Sequence, residues 1–236
     1  MEKSTPTQTK ENLKAEQGKN NFVVAIGASA GGLEAIHEFF DNMPDGANLA
    51  FVIIQHLSSD YKSLLVELVS RHTNMKVFEA EDETTVQKNC IYVIPNNKFI
   101  TIENGKLQLE AKKKTQAPNN AVDTFLYSLA KSKKNRAIAV ILSGTGTDGT
   151  KGIEAIKKNG GLVIIQDPST AKFDGMPNSA IQLGITDLIL PPSQMPAEIL
   201  NYVKEPLLMQ QNFSEKELDE IFTLIHQAVG HDFHYY

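Results

Sequence analysis

Runs of apolar, β-branched residues alternate along the chain with stretches whose apolar positions recur every three or four residues. The apolar runs predict strands at Phe22–Ile26, Ala50–Gln55, Lys76–Glu79, Ile91–Ile94, Ala137–Leu142, Leu162–Gln166 and Asp187–Leu190. The periodic stretches predict helices at Leu33–Asn42, Lys62–Arg71, Val122–Lys131, Gly152–Asn159, Ser179–Leu183 and Met195–Tyr202. Strands that are apolar almost throughout need both faces covered, which implies a parallel sheet between two layers of helices. One segment departs from that rule. Phe99–Leu109 alternates around Asn104-Gly105, the turn pair of a two-residue hairpin. The expected fold class is therefore α/β: a doubly wound, mostly parallel sheet with helices on both faces and an antiparallel β-hairpin.

The ends differ from the middle. Residues 1–21 are polar, without Val, Ile or Phe, and read as a disordered leader. The folded domain is expected over 22–203. Beyond it Glu205-Pro206 breaks the pattern, and Ser214 with Glu217 forms a capping box for a new helix faced by Leu218, Ile221, Phe222 and Ile225. The aromatic end, His231-Asp232-Phe233-His234-Tyr235-Tyr236, has nothing to bury it, so 204–236 reads as a linker and the truncated start of another subdomain.

Composition narrows the function classes. At 236 residues, 41% hydrophobic and 22% charged, the chain has the make-up of a globular protein, and a net charge of −5 argues against a nucleic-acid partner. Lys112-Lys113-Lys114, the one tight basic run, reads as a solvated loop. The single Cys90, in an apolar run, cannot form an internal disulfide, which fits a reducing, cytoplasmic compartment. No signal-peptide h-region and no apolar stretch near ~20 residues occur, so direct membrane insertion is not expected. No His, Cys, Asp and Glu cluster has metal-ligand spacing, and no cofactor is expected.

Chemistry concentrates at three predicted strand ends. The run Phe22–Ile26 enters Gly27-Ala28-Ser29-Ala30-Gly31-Gly32; His56 follows Gln55; and Ser143-Gly144-Thr145-Gly146-Thr147-Asp148-Gly149 follows Leu142. In an open parallel sheet, functional residues gather beyond the carboxyl ends of strands. A hydroxyl, an imidazole and a carboxylate on one edge supply the nucleophile, base and orienting acid of acyl transfer, since serine needs an imidazole to take its proton. The backbone N–H groups of Ala30 or Gly31, at a helix N-terminus, are candidate oxyanion donors, and the glycines would let such groups approach the anion. Each residue also has a plainer reading: Ser29 as a helix cap, His56 as a structural histidine, Asp148 as the cap of the helix from Thr150. His37 and His72 read as surface residues of helices, and His226, His231 and His234 belong to the C-terminal appendage. A dinucleotide site fits poorly, because Ser29 stands where the second fingerprint glycine belongs and Gln55-His56 where an acid belongs. The order Ser, His, Asp also differs from the Ser, Asp, His of α/β-hydrolases.

Four segments, Ile26–Gly32, Gln55-His56, Leu142–Gly149 and Phe173-Asp174-Gly175-Met176-Pro177, resemble the catalytic domain of CheB-type protein-glutamate methylesterases. The resemblance spans Phe22 to about Val203. It implies Ser29 as nucleophile, His56 as general base and acid, Asp148 as third triad member and the Thr145 amide as a further oxyanion donor. The implied reaction is hydrolysis of glutamate γ-methyl esters on methylated chemoreceptor-like proteins, with deamidation of glutamine by the same chemistry. Three departures stand out: Ala30 in place of the family's usual threonine, Thr145 where methionine is common, and Pro118-Asn119-Asn120-Ala121 in place of a His-Arg-Pro-Ser segment. The wording is most similar to the subfamily fused to a CheR-type methyltransferase, whose helical subdomain Val229–Phe233 resembles. A non-catalytic regulatory or docking module in a sensory fusion protein is the rival expectation.

Overall fold

The structure is a computed structural model that describes residues 21–55, 64–96, 98–111 and 120–209, with side chains as far as Lys204. It divides into two compact units, Met1–Ile199 and Leu200–Tyr236.

Seven strands form the main sheet: β1 (Val23–Ala28), β2 (Ala50–Gln55), β3 (Lys76–Glu79), β4 (Cys90–Val93), β7 (Ala137–Ile141), β8 (Leu162–Gln166) and β9 (Leu188–Leu190). All neighbours pair in parallel, in the order β3-β4-β2-β1-β7-β8-β9. Strands β5 (Lys98–Glu103) and β6 (Lys106–Ala111) form the expected hairpin, with Asn104 and Gly105 at φ of 50° and 80°. Positive φ at both central residues is the geometry that matches the twist of the flanking strands. The helices are α1 (Gly32–Asp41), α2 (Leu64–Ser70), α3 (Ala121–Lys133), α4 (Thr150–Lys158), α5 (Gly175–Ile181) and α6 (Met195–Met209).

The central strands are buried on both faces, as their composition requires. Val23, Ala25, Val52, Ala139 and Ile141 share one core with Val122, Phe125 and Leu129 of α3 and Ile153 and Ile156 of α4. Phe51 points to the other face, where it meets Phe39 and Phe40 of α1 edge to face at 6.2 and 5.4 Å. Such aromatic pairs add to the burial of the rings themselves. Cys90 is buried in β4, as its apolar run suggests.

Two boundaries differ from expectation by more than two residues. Helix α5 begins at Gly175 rather than Ser179, because Pro177 falls in its first turn, where a missing N–H costs nothing. Helix α6 continues past the expected end at Tyr202 and through Pro206 to Met209: proline removes one rung of the ladder and leaves those on either side.

Strand β1 sits in the middle of the sheet. The chain passes from β1 through α1 to β2 on one side, and later adds β7 on the other. The connections at the carboxyl ends of β1 and β7 therefore diverge, and ligands of doubly wound folds bind in the crevice at such a switch point.

Candidate active site

At that crevice the turns after β1 and β7 are stitched together. The Leu142 N–H donates to the Gly27 carbonyl (2.9 Å), and the Ser29 N–H donates to the Ser143 carbonyl (3.0 Å). The Gly144 backbone passes so close to the serine that a Cβ built on it would lie 2.9 Å from Ser29 Cβ. Ser29 does not cap α1: the N-cap is Gly31, at φ 69°, with no side-chain bond. The Ser29 side chain is half-buried, and its Oγ makes no hydrogen bond to a described residue.

Gly31 needs its glycine twice over. Its φ lies in the left-handed region, and a Cβ there would meet Lys172 Cβ at 2.7 Å and Ser143 Oγ at 2.9 Å. Lys172 is held above the turn by its ion pair with Glu34 (3.1 Å).

The three candidate oxyanion donors share one arrangement. A trans peptide is planar, with N–H and C=O pointing in opposite directions, so fixing the carbonyl of a peptide aims its N–H. The Ala30 N–H belongs to the peptide whose carbonyl, Ser29 C=O, accepts from Gly32 N–H at 3.0 Å. The Gly31 N–H belongs to the peptide whose carbonyl, Ala30 C=O, accepts from Ser143 Oγ–H at 2.9 Å. The Thr145 N–H belongs to the peptide whose carbonyl, Gly144 C=O, accepts from Met176 N–H at 2.9 Å. None of the three N–H groups has an acceptor among the described residues. Three peptides are thus anchored on one side and idle on the other.

Asp148 is placed differently from its plainer reading. It does not cap α4, whose N-cap is Gly149 without a side-chain bond. Its Oδ2 and Oδ1 accept instead from the N–H groups of Val122 (3.0 Å) and Asp123 (2.9 Å), in the first turn of α3. Gly27 makes room for that turn, since a Cβ there would lie 2.5 Å from Val122 Cγ1. Burial pushes the Asp148 carboxyl above the usual aspartate value; the Asp123 and Val122 N–H groups pull it back, and the Asp123 carboxylate adds a smaller push. Asp123 in turn accepts from Gly152 N–H at 2.7 Å, and burial raises its carboxyl too. His56, the expected base, lies outside the described residues, as do Lys112–Lys114, the Ser214 capping box and His226, His231 and His234.

Two residues without a role in the sequence reading organise this edge. Ser143 is fully buried, and its Oγ lies 2.9 Å from the Ala30 carbonyl and 3.2 Å from that of Phe173 while accepting from Phe173 N–H at 3.0 Å. Gln166, at the end of β8, accepts from Ser143 N–H through Oε1 (2.7 Å) and donates from Nε2 to Thr170 Oγ1 (3.2 Å). A polar residue closing an otherwise apolar strand, as both Gln55 and Gln166 do, is the signal that could have found Gln166.

Two histidines depart from expectation. His37 and His72 are not separate surface side chains: both are half-buried and their rings stack at 3.8 Å, with His72 Nδ1 2.8 Å from Asp41 Oδ1. Burial, and next the neighbouring His72, hold the His37 imidazole below its ordinary pKa. His72 falls just past the end of α2. Among the described residues no group of three or more His, Cys, Asp or Glu is placed to hold a metal ion, and no helix is long and apolar enough to cross a membrane.

Fold and crevice together define a class: doubly wound parallel α/β domains that present a serine turn at the switch point. The chain belongs to the CheB methylesterase family, whose model matches residues 24–199. It superposes with a TM-score of 0.70 on the crystal structure of the Thermotoga maritima CheB methylesterase catalytic domain, at 31% identity, covering 77% of this chain and 98% of that one. A protein-glutamate methylesterase/protein-glutamine glutaminase of Thermotoga maritima is 33% identical over 185 residues, 77% of this chain and 54% of the relative. A 104.1 kDa protein of Rhodobacter capsulatus is 39% identical over 153 residues, 64% of this chain. The chain thus spans about half of the first relative and 16% of the second.

Proposed function

We propose that this CheB-type domain hydrolyses γ-methyl esters of glutamyl side chains through Ser29, His56 and Asp148. His56 takes the Ser29 proton as Oγ attacks the ester carbonyl carbon. The carbonyl oxygen becomes an oxyanion held by the N–H groups of Ala30, Gly31 and Thr145. Collapse of the tetrahedral adduct breaks the bond to the methoxy oxygen, which leaves as methanol with the proton from His56. Water then attacks the glutamyl-Ser29 ester, again with His56 as base, and releases glutamate. Asp148 orients His56 and stabilises its charged form.

The observation that carries this reading is the pairing of a serine hydroxyl that makes no hydrogen bond to a described residue with three N–H groups, on anchored peptides in the adjoining turns, that have no acceptor among the described residues. Such donors lower the barrier because they need no reorganisation when charge develops. Homologues bear the name protein-glutamate methylesterase/protein-glutamine glutaminase, so glutamine deamidation belongs to the same proposal, with ammonia in place of methanol. The substrate class is a methylated chemoreceptor-like protein and the compartment is the cytoplasm. A continuation into a CheR-type methyltransferase is part of the reading, supported by the length of the Rhodobacter relative.

The test is methanol release from a methylated receptor fragment, alongside labelling by a fluorophosphonate. Wild-type chain is expected to release methanol and take one label at Ser29, and Ser29→Ala and His56→Ala to do neither. A wild-type chain that neither releases methanol nor takes label would leave the docking-module reading in its place.

A further inference from the structure

Of the three anchors that aim the oxyanion donors, two are backbone N–H groups, Gly32 and Met176, and no truncation of a side chain removes them. The third is a side chain. We infer that Ser143 is a positioning residue of the esterase, its hydroxyl locking the Ala30–Gly31 peptide so that the Gly31 N–H faces the reacting carbonyl. This inference rests on the esterase reading above.

The Ala30–Gly31 peptide is the one most in need of a lock. Gly31 sits at φ 69°, and glycine adopts either sign of φ at little cost, so rotation of this peptide plane meets no Cβ on its Gly31 side. Rotation would turn the Gly31 N–H away from Ser29 and the Ala30 carbonyl oxygen towards it. A carbonyl dipole there repels an oxyanion, so the flipped site is worse than one merely lacking a donor.

Ser143 is built to prevent this. Its carbonyl is held by Ser29 N–H and its own N–H by Gln166 Oε1, so the backbone that carries the hydroxyl is fixed at both ends. Phe173 N–H donates to Oγ, which leaves the hydroxyl proton to go to a carbonyl. Of the two within reach, Ala30 is nearer (2.9 against 3.2 Å), and the Phe173 carbonyl already accepts from Gly144 N–H. The residue is fully buried, so water cannot take its place.

The test measures kcat, KM and boronic-acid inhibition with a small ester substrate for wild type, Ser143→Ala and Ser143→Cys, each checked by circular dichroism. A boronate forms a tetrahedral adduct with a serine and reports on the oxyanion site directly. In Ser143→Ala the unlocked peptide samples the flipped orientation only part of the time, so kcat is expected to fall roughly 10- to 100-fold, less than or comparable to loss of a whole donor, with KM unchanged and boronate affinity weakened in step. Ser143→Cys, near-isosteric with a weaker donor, is expected between the two, and it decides the question if the alanine variant does not fold. An Ile164→Val variant, altered in the buried sheet, should lose stability while keeping wild-type kcat and boronate affinity. A folded Ser143→Ala or Ser143→Cys with wild-type kcat and boronate affinity would overturn the role of Ser143 while wild type still takes the fluorophosphonate at Ser29. Absence of that label from wild type would instead overturn the esterase reading, and this inference with it.

Discussion

Ser29 and Ser143 stand at the ends of adjacent parallel strands, joined by one hydrogen bond, and they are used in opposite ways. Every polar atom of Ser143 is engaged: N–H with Gln166, carbonyl with Ser29, Oγ with the Ala30 carbonyl and the Phe173 N–H. The Ser29 backbone is equally engaged, yet its hydroxyl makes no hydrogen bond to a described residue. The same side chain is thus spent on structure at one strand end and withheld from it at the other. A half-buried hydroxyl contributes little to stability unless it is bonded, so leaving it idle is cheap and keeps it available for chemistry.

The strongest break of this comparison is Ser29→Ala. Methanol release should fall by roughly 10⁶-fold, the scale seen when a serine nucleophile is removed, while stability to urea stays within about 0.5 kcal/mol. A large stability loss would show that the hydroxyl is structural after all.

Gln166→Leu probes the other serine. It leaves the buried Ser143 N–H without its acceptor and should cost about 1–3 kcal/mol in urea unfolding. Unchanged stability would mean that Ser143 is held adequately from its carbonyl side.

The smallest effect contrasts the two carboxylates in the same way. Asp148 and Asp123 both carry pKa values raised chiefly by burial. A raised carboxyl is at its best for stability when protonated, below the ordinary aspartate value of about 4, and that contribution is lost as pH climbs through the folded value. Asp123→Asn keeps an acceptor for Gly152 N–H but cannot ionise. Its melting temperature should therefore gain on wild type as pH rises from about 4, with the gap levelling off once wild-type Asp123 is ionised. A gap independent of pH would remove ionisation of Asp123 from the account.

The sequence was most legible where a single strand decides the outcome. Ala50–Gln55 and Leu162–Gln166 are strands over the residues their apolar runs mark, because a fully buried strand needs an unbroken run. Asn104-Gly105 forms its hairpin because the turn is local. The serine turn and Asp148 were legible as motifs. What was not legible depends on strand order: Ser143 meets Ala30, and Gln166 meets Ser143, only because β1, β7 and β8 lie side by side. Gly27 shows the same limit. Its missing Cβ was expected to admit an anion to the backbone, whereas it admits Val122 and so brings the first turn of α3 to Asp148. Nothing near Gly27 in the chain announces that partner.

The anchored peptides have a consequence for exchange with solvent. Amide protons are retained when they are hydrogen-bonded and lost when they are not, whatever the stiffness of the chain around them. The turn after β1 therefore mixes two kinds of clock within four residues. The Ser29 and Gly32 amides are hydrogen-bonded and are expected to exchange slowly, while Ala30 and Gly31 between them, without an acceptor among the described residues, are expected to exchange readily. A ligand whose oxygen settles on those two amides would be written into the protein as a sudden slowing at Ala30 and Gly31 alone.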